Sequence, residues 1–141
     1  IFNIFDQNPG DELFPACLEH EVAVIARVPF DEGTLTGTLT KQSTWPEGDW
    51  RNTYFVPENL NSSVDHADAL KPLIPQGMTM AEMALRFILG EQTVCTIIPG
   101  MRKLSHVKSN ISVSDKGPLT NALEEQLREH RWDRIPTSWS Q

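Results

Sequence analysis

Apolar residues along this chain fall into two kinds of segment: short runs that are almost wholly apolar, and longer stretches with apolar positions three or four apart. Residues 1–5, Ile1-Phe2-Asn3-Ile4-Phe5, form a β-favouring run closed by the turn cluster Gln7-Asn8-Pro9-Gly10. Leu13, Phe14, Cys17 and Leu18 follow, behind Asp11 and Glu12. That spacing predicts an amphipathic helix whose leading acids complement its dipole. Val22-Ala23-Val24-Ile25-Ala26-Arg27-Val28 is nearly all apolar, the pattern of a strand buried on both faces. Strand, short helix and strand together predict a parallel, right-handed βαβ unit.

The second half repeats the alternation. Residues 64–73 predict a helix. Thr79 and Glu82 form a capping box at the start of another, running through Ala81, Met83, Ala84, Leu85, Phe87 and Ile88 to a cap at Gly90. Thr93-Val94-Cys95-Thr96-Ile97-Ile98 reads as a buried strand ended by Pro99-Gly100, with a helix over 105–111 after it. Beyond the turn Lys116-Gly117-Pro118, Leu119, Leu123 and Leu127 mark a last helix. Residues 41–59 are irregular and carry Trp45, Trp50, Tyr54 and Phe55 among Pro and Gly. Such a loop reads either as a functional lid or as an aromatic cover over a helix layer. Three strands separated by helices make an α/β protein, in an open doubly wound sheet or in part of a barrel.

Charge and composition narrow the function. The 141 residues hold 12 Lys+Arg against 19 Asp+Glu, a net charge of −7, which disfavours nucleic acid as a partner. Arg128, Arg131 and Arg134 are interspersed with Glu129 and Asp133 and read as solvated surface. No apolar run reaches the roughly 20 residues of a membrane span, so no membrane partner is expected. Cys17 and Cys95 sit in apolar patterns and read as small buried thiols in a reducing, cytoplasmic setting. His20, His66, His106 and His130 lack metal-ligand spacing, so no metal site is expected. The chain opens at Ile1 inside a strand-like run, without an initiator Met or a signal pattern. The expectation is that its gene begins upstream.

Candidate chemistry gathers in two loops, residues 29–37 and 99–103, at the carboxyl ends of predicted strands, where α/β proteins place ligands. Gly33, Gly37 and Gly100 allow close backbone approach there. Arg102 and Lys103 precede a helix N-terminus, an arrangement suited to phosphate or sulfate. The same residues also read as a plain turn with a surface cation. A reaction centre is harder to find: Tyr54, the sole tyrosine, lies in the irregular loop, and Asp65-His66 has no nucleophile nearby. Nucleophile-elbow, Walker and dinucleotide-fingerprint motifs do not occur.

The run from Val24 through Arg27-Val28-Pro29-Phe30-Asp31-Glu32-Gly33-Thr34-Leu35-Thr36 to Gly37 resembles the seventh strand and loop of the aldo-keto reductases. Ala84-Leu85-Arg86-Phe87-Ile88-Leu89, then Thr96-Ile97-Ile98-Pro99-Gly100-Met101-Arg102-Lys103, then Asn110, resembles that family's seventh helix, eighth strand and cofactor segment. Phe2-Asn3 fits the Tyr-Asn often seen near the sixth strand. The resemblance implies an eight-stranded βα (TIM) barrel binding NADP(H). Such a barrel takes about 250 residues, so this chain amounts to about four and a half of its units. Residues 1–141 are then expected to be the carboxy-terminal portion of one barrel domain, holding its last three parallel strands and a closing helix, with a tail over 131–141.

The resemblance also implies roles. Arg102, with Lys103, would hold the adenosine 2′-phosphate, and Asn110 would contact adenine, with His106 standing where a Gln is usual. Phe30, Gly33 and Leu35 would wrap the pyrophosphate largely through backbone groups, with Gly100 opening the second loop. Arg27 stands where many members have an aromatic that stacks on nicotinamide; a guanidinium can also lie flat on a ring. The family's catalytic Asp, Tyr, Lys and His come from earlier units, so no catalytic residue is assigned here. The complete protein would transfer hydride to a small-molecule carbonyl substrate, and this chain would be its cofactor-binding portion, inactive alone. The alternatives are a non-catalytic fragment that self-associates through exposed barrel edges and a channel-associated subunit. Trp132, Trp139 and the tail read either as a cover over a substrate pocket or as packing on the barrel wall.

Overall fold

Apolar residues at positions 80, 83, 84, 87 and 88 give the helix Met80–Leu89 one continuous apolar stripe, and all five are buried. A computed structural model describes residues 1–134, and this helix is the centre of its packing. In chain order the elements are α1 (Leu13–Glu19), β1 (Val24–Ala26), α2 (Arg51–Tyr54), α3 (Pro57–Leu70), α4 (Met80–Leu89), β2 (Val94–Ile97), α5 (Leu104–Ser112) and α6 (Asn121–Arg128). Trp139 and residues 135–141 lie outside the described residues.

Half of the expected capping box forms at α4. The Thr79 hydroxyl accepts from the Glu82 N–H at 3.1 Å. The Glu82 carboxylate turns instead to Arg86 (3.4 Å) and Lys116 (2.6 Å). Arg86 also donates to the carbonyls of Gly117 (3.0 Å) and Pro118 (2.7 Å), so the turn before α6 is tied to α4. Gly90 caps the helix as expected, in a right-handed conformation. The helix expected over 64–73 begins earlier, at Pro57. Proline lacks an N–H that the first turn could not pair anyway, so it starts a helix well.

β1 and β2 pair in parallel, Val24 with Val94 and Ala26 with Ile97, with an irregularity after Val24. Among the described residues the sheet has these two strands, and the third expected strand, residues 1–5, does not form. Asn3 is the reason. Its Oδ1 accepts from the N–H groups of Phe5 and Asp6, each at 2.9 Å, and its Nδ2 donates to the Val28 carbonyl at 3.0 Å. The side chain thus competes with the ladder and bends the segment. One backbone bond toward that strand remains, from Phe2 N–H to the carbonyl of Arg27, the residue just after β1, at 3.4 Å. The segment is buried all the same: Phe2, Ile4 and Phe5 are core residues.

The strands are less buried than their composition suggests. Ile25 is 63 % exposed, and Val22, Ile98 and Cys95 are also at the surface, because nothing among the described residues covers that side of the sheet. Cys17 is half-buried, and in α1 only Phe14 is buried. Residues 41–59, expected to be irregular, in fact hold α2 and the first turn of α3. They supply a second small core, Phe55 with Leu60 and Val64 of α3, against which Leu39, Trp45 and Tyr54 pack. For Trp45 and Phe55, stacked at 5.2 Å, the aromatic-cover reading holds.

Candidate functional site

The chain leaving β1 turns sharply. Val28 (φ 54°), Asp31 (φ 48°) and Glu32 (φ 56°) are left-handed, followed by Gly33 at φ 115°. Each non-glycine residue in that region costs about 1–2 kcal/mol, and a β-branched one is a true outlier. Strain of this kind persists only where surrounding contacts enforce it. Here the Gly33 and Leu35 N–H groups both donate to the Phe30 carbonyl at 2.9 Å, while Thr34 and Leu35 are buried in the core beneath. A Cβ at Gly33 would meet nothing within 4 Å, so the outer side of the turn is open.

That turn forms one wall of a cavity of about 250 Å³, also lined by Asp6, Arg27, Trp50, Tyr54, Trp132 and Arg134. Burial pushes the Asp6 and Glu32 carboxyls up, and for Glu32 the neighbouring Asp31 charge adds to the effect. Burial also pushes the Tyr54 hydroxyl up to about 12, again with help from Asp31. A tyrosine raised this far is a poor proton donor near neutral pH, where an acid needs a pKa close to the working pH. Trp132 stacks on His66 with centroids 4.0 Å apart, and burial, then the Arg134 charge, hold His66 below the usual imidazole value. Burial works against the Arg134 charge, but its hydrogen bond to Asp31 more than restores it.

The second loop follows β2. Arg102, Lys103 and His106 are exposed, and Lys103 occupies the N-cap of α5 without a side-chain cap. The first N–H groups of that helix and its positive dipole end thus lie next in the chain to two exposed cations. Asn110 reaches back to the Gly100 carbonyl at 3.4 Å, tying α5 to the strand-end loop. Among the described residues neither Arg102 nor Lys103 makes an ion pair, and neither does Arg27. Close by, Asp49 is held down to about 2, chiefly by hydrogen bonds from Arg51, with Arg102 contributing a smaller attraction.

The nine residues singled out from the sequence thus fall into two places. Arg27, Phe30, Gly33 and Leu35 belong to the strained turn, and Gly100, Arg102, Lys103, His106 and Asn110 to the α5 entrance. The Leu35 side chain is in the core, so only its backbone belongs to the site. Sequence reasoning missed the cavity's other wall. Arg134, read as solvated, is 19 % exposed and paired with Asp31 at 2.7 Å, while Arg131 binds Asp11 at 2.8 Å and also Asn8. These partners lie more than a hundred positions away, beyond the reach of local spacing, although Arg131 also pairs with Asp133 at 2.8 Å. Among the described residues no His/Cys/Asp/Glu cluster could hold a metal, and no helix is long and apolar enough to cross a membrane.

Comparison with known proteins gives a consistent picture. A model of the Aldo/keto reductase family matches residues 1–131. An uncharacterized oxidoreductase of Bacillus subtilis is 27 % identical over 129 residues, covering 92 % of this chain and 40 % of the relative. An NADH-specific methylglyoxal reductase of Escherichia coli is 28 % identical over 113 residues, covering 79 % of this chain and 34 % of its own. Among solved structures, a glycerol dehydrogenase from Gluconobacter oxydans superposes with a TM-score of 0.79 at 22 % identity, over 99 % of this chain and 44 % of that one. The chain spans well under half the length of the proteins it matches.

Proposed function

The chain belongs to the aldo/keto reductase family, and from that membership we propose that it is the cofactor-holding, carboxy-terminal portion of an NADP(H)-dependent reductase of small carbonyl compounds. In this reading residues 1–141 belong to one (β/α)8 barrel domain. β1 and β2 are its last two strands, and residues 1–5 stand in the place of the strand before them. The α/β architecture with a small parallel sheet supports this, as does the superposition on the longer glycerol dehydrogenase chain from Gluconobacter oxydans. The setting we assign is cytoplasmic, in keeping with two free thiols.

One observation carries the cofactor reading. Arg102 and Lys103 are exposed, without ion partners among the described residues, directly before the uncapped N-terminus of α5 at the carboxyl end of β2. A phosphate monoester fits that set of donors. On the other loop the open side of Gly33 would admit a pyrophosphate, and Arg27 at the cavity edge would lie against the nicotinamide. The bound nicotinamide would supply the hydride. The proton donor and its partners are assigned, as the family resemblance implies, to the part of the barrel that this chain does not span.

The Escherichia coli relative is named as NADH-specific, so the 2′-phosphate is the point to test. The chain is expected to bind NADPH more tightly than NADH when followed by nicotinamide fluorescence, with the difference shrinking as salt is added. A folded chain that binds neither nucleotide overturns the reading, and equal affinity removes the 2′-phosphate contact from it.

A second reading rests on the uncovered side of the sheet. Ile25, Val22 and Ile98 there, with Leu104 and Ile111 on α5, are exposed apolar groups that favour association. On its own the chain is expected to self-associate through this face, giving a mass above the monomer in light scattering. A monomer persisting at high concentration counts against it.

A further inference from the structure

The last described stretch of chain runs as a strap from the end of α6 back across the strained turn. It is fastened at successive points. The Gln7 amide donates to the Arg128 carbonyl at 3.2 Å, and the Trp132 N–H donates to the Phe5 carbonyl at 2.8 Å. The last described residue is Arg134, whose guanidinium lies over the Trp132 ring at 4.1 Å and donates to the Asp31 Oδ2 at 2.7 Å. Asp31 is one of the left-handed residues of the turn, and its side chain is 3 % exposed. Its other anchor is local: its own N–H donates to the Val28 carbonyl at 3.2 Å. Left-handed Asp is tolerated but not preferred, so a distant cation gripping its carboxylate selects that conformation over the extended one.

We infer that Arg134 is a positioning residue, which grips Asp31 from the strap and so holds the turn through Gly33 in the shape that faces the cavity. The consequence for nucleotide binding rests on the cofactor reading above; the grip itself does not. Arg134 would act through Asp31, and a freed turn would lose order in the pair of N–H bonds converging on the Phe30 carbonyl. A guanidinium stacked on an indole and bonded to a carboxylate is poorly replaced by an ammonium, so lysine should rescue only in part.

The test is amide hydrogen exchange on the 141-residue chain and its variants Arg134→Met, Arg134→Lys and Asp31→Asn. Arg134→Met is expected to speed exchange at Gly33 and Leu35 by at least about tenfold, the equivalent of about 1.4 kcal/mol. Met83 and Phe87 of α4 should keep their rates, and Arg134→Lys should fall between wild type and Arg134→Met. Asp31→Asn should match Arg134→Met, and combining the two should add nothing. Unchanged exchange at Gly33 and Leu35, or acceleration spread equally into α4, overturns the inference. NADPH titration of the same variants separates the two readings. A wild-type chain that binds no nucleotide, yet shows the local exchange response, defeats the cofactor reading and leaves the grip standing.

Discussion

Replacing Phe87 with alanine is expected to remove about 3–5 kcal/mol of folding stability, the cost of truncating a buried aromatic and leaving a cavity. The ring is 1 % exposed, stacks on Phe2 at 5.8 Å and carries the Arg128 guanidinium on its other surroundings at 5.5 Å. It therefore joins three separate parts of the chain: residues 1–5, α4 and α6. Domains of this size are stable by only about 5–15 kcal/mol. One substitution would take a large share of that, more so with one side of the sheet uncovered. Urea denaturation followed by far-UV circular dichroism measures it. A loss below about 1 kcal/mol would mean that neighbouring side chains refill the site, contrary to the close packing described.

The second large effect is on recognition. Arg102→Ala is expected to weaken NADPH binding by about tenfold to a hundredfold while leaving NADH binding unchanged, since a hydrogen bond to a charged group is worth about 1.5–3 kcal/mol. Only the phosphorylated nucleotide carries the group that Arg102 is proposed to hold. Arg102 is exposed, so salt should shrink the effect. Asp49 lies near enough for Arg102 to help hold its carboxyl down, so part of the attraction is already spent within the protein. Equal losses for both nucleotides would place Arg102 on a shared part of the cofactor. No loss for either would return it to being a surface cation.

The helices were the most legible part of the chain. α4, α5 and α6 appear where the apolar pattern places them, and α4 also starts and stops at its expected capping residues, because a helix's stripe and its ends are set by residues within a few positions of one another. Residues 1–5 show the limit of such reasoning. Their composition favours a strand, but a single Asn side chain, bonded to Val28 at a separation of 25 positions, bends them into a turn. The strand patterns erred in the other direction. An apolar run states what a segment would bury if a partner were present, and β1 has β2 on one edge but no cover over Ile25.

The site divides along the same line. Gly33, Gly100, Arg102 and Lys103 stand out in the sequence because glycine and paired cations beside predicted strand ends have a local meaning that needs no fold. Family membership, too, is carried by the order of residues over positions 1–131. The strap, the cavity wall and the pairing of Arg134 with Asp31 were decided by tertiary structure alone. An arginine next to an acid looks solvated until the fold brings a left-handed aspartate from 103 positions away to within 2.7 Å of it. Long-range ion pairs leave no period in the chain, because their spacing is set by how elements pack and not by the geometry of any one of them.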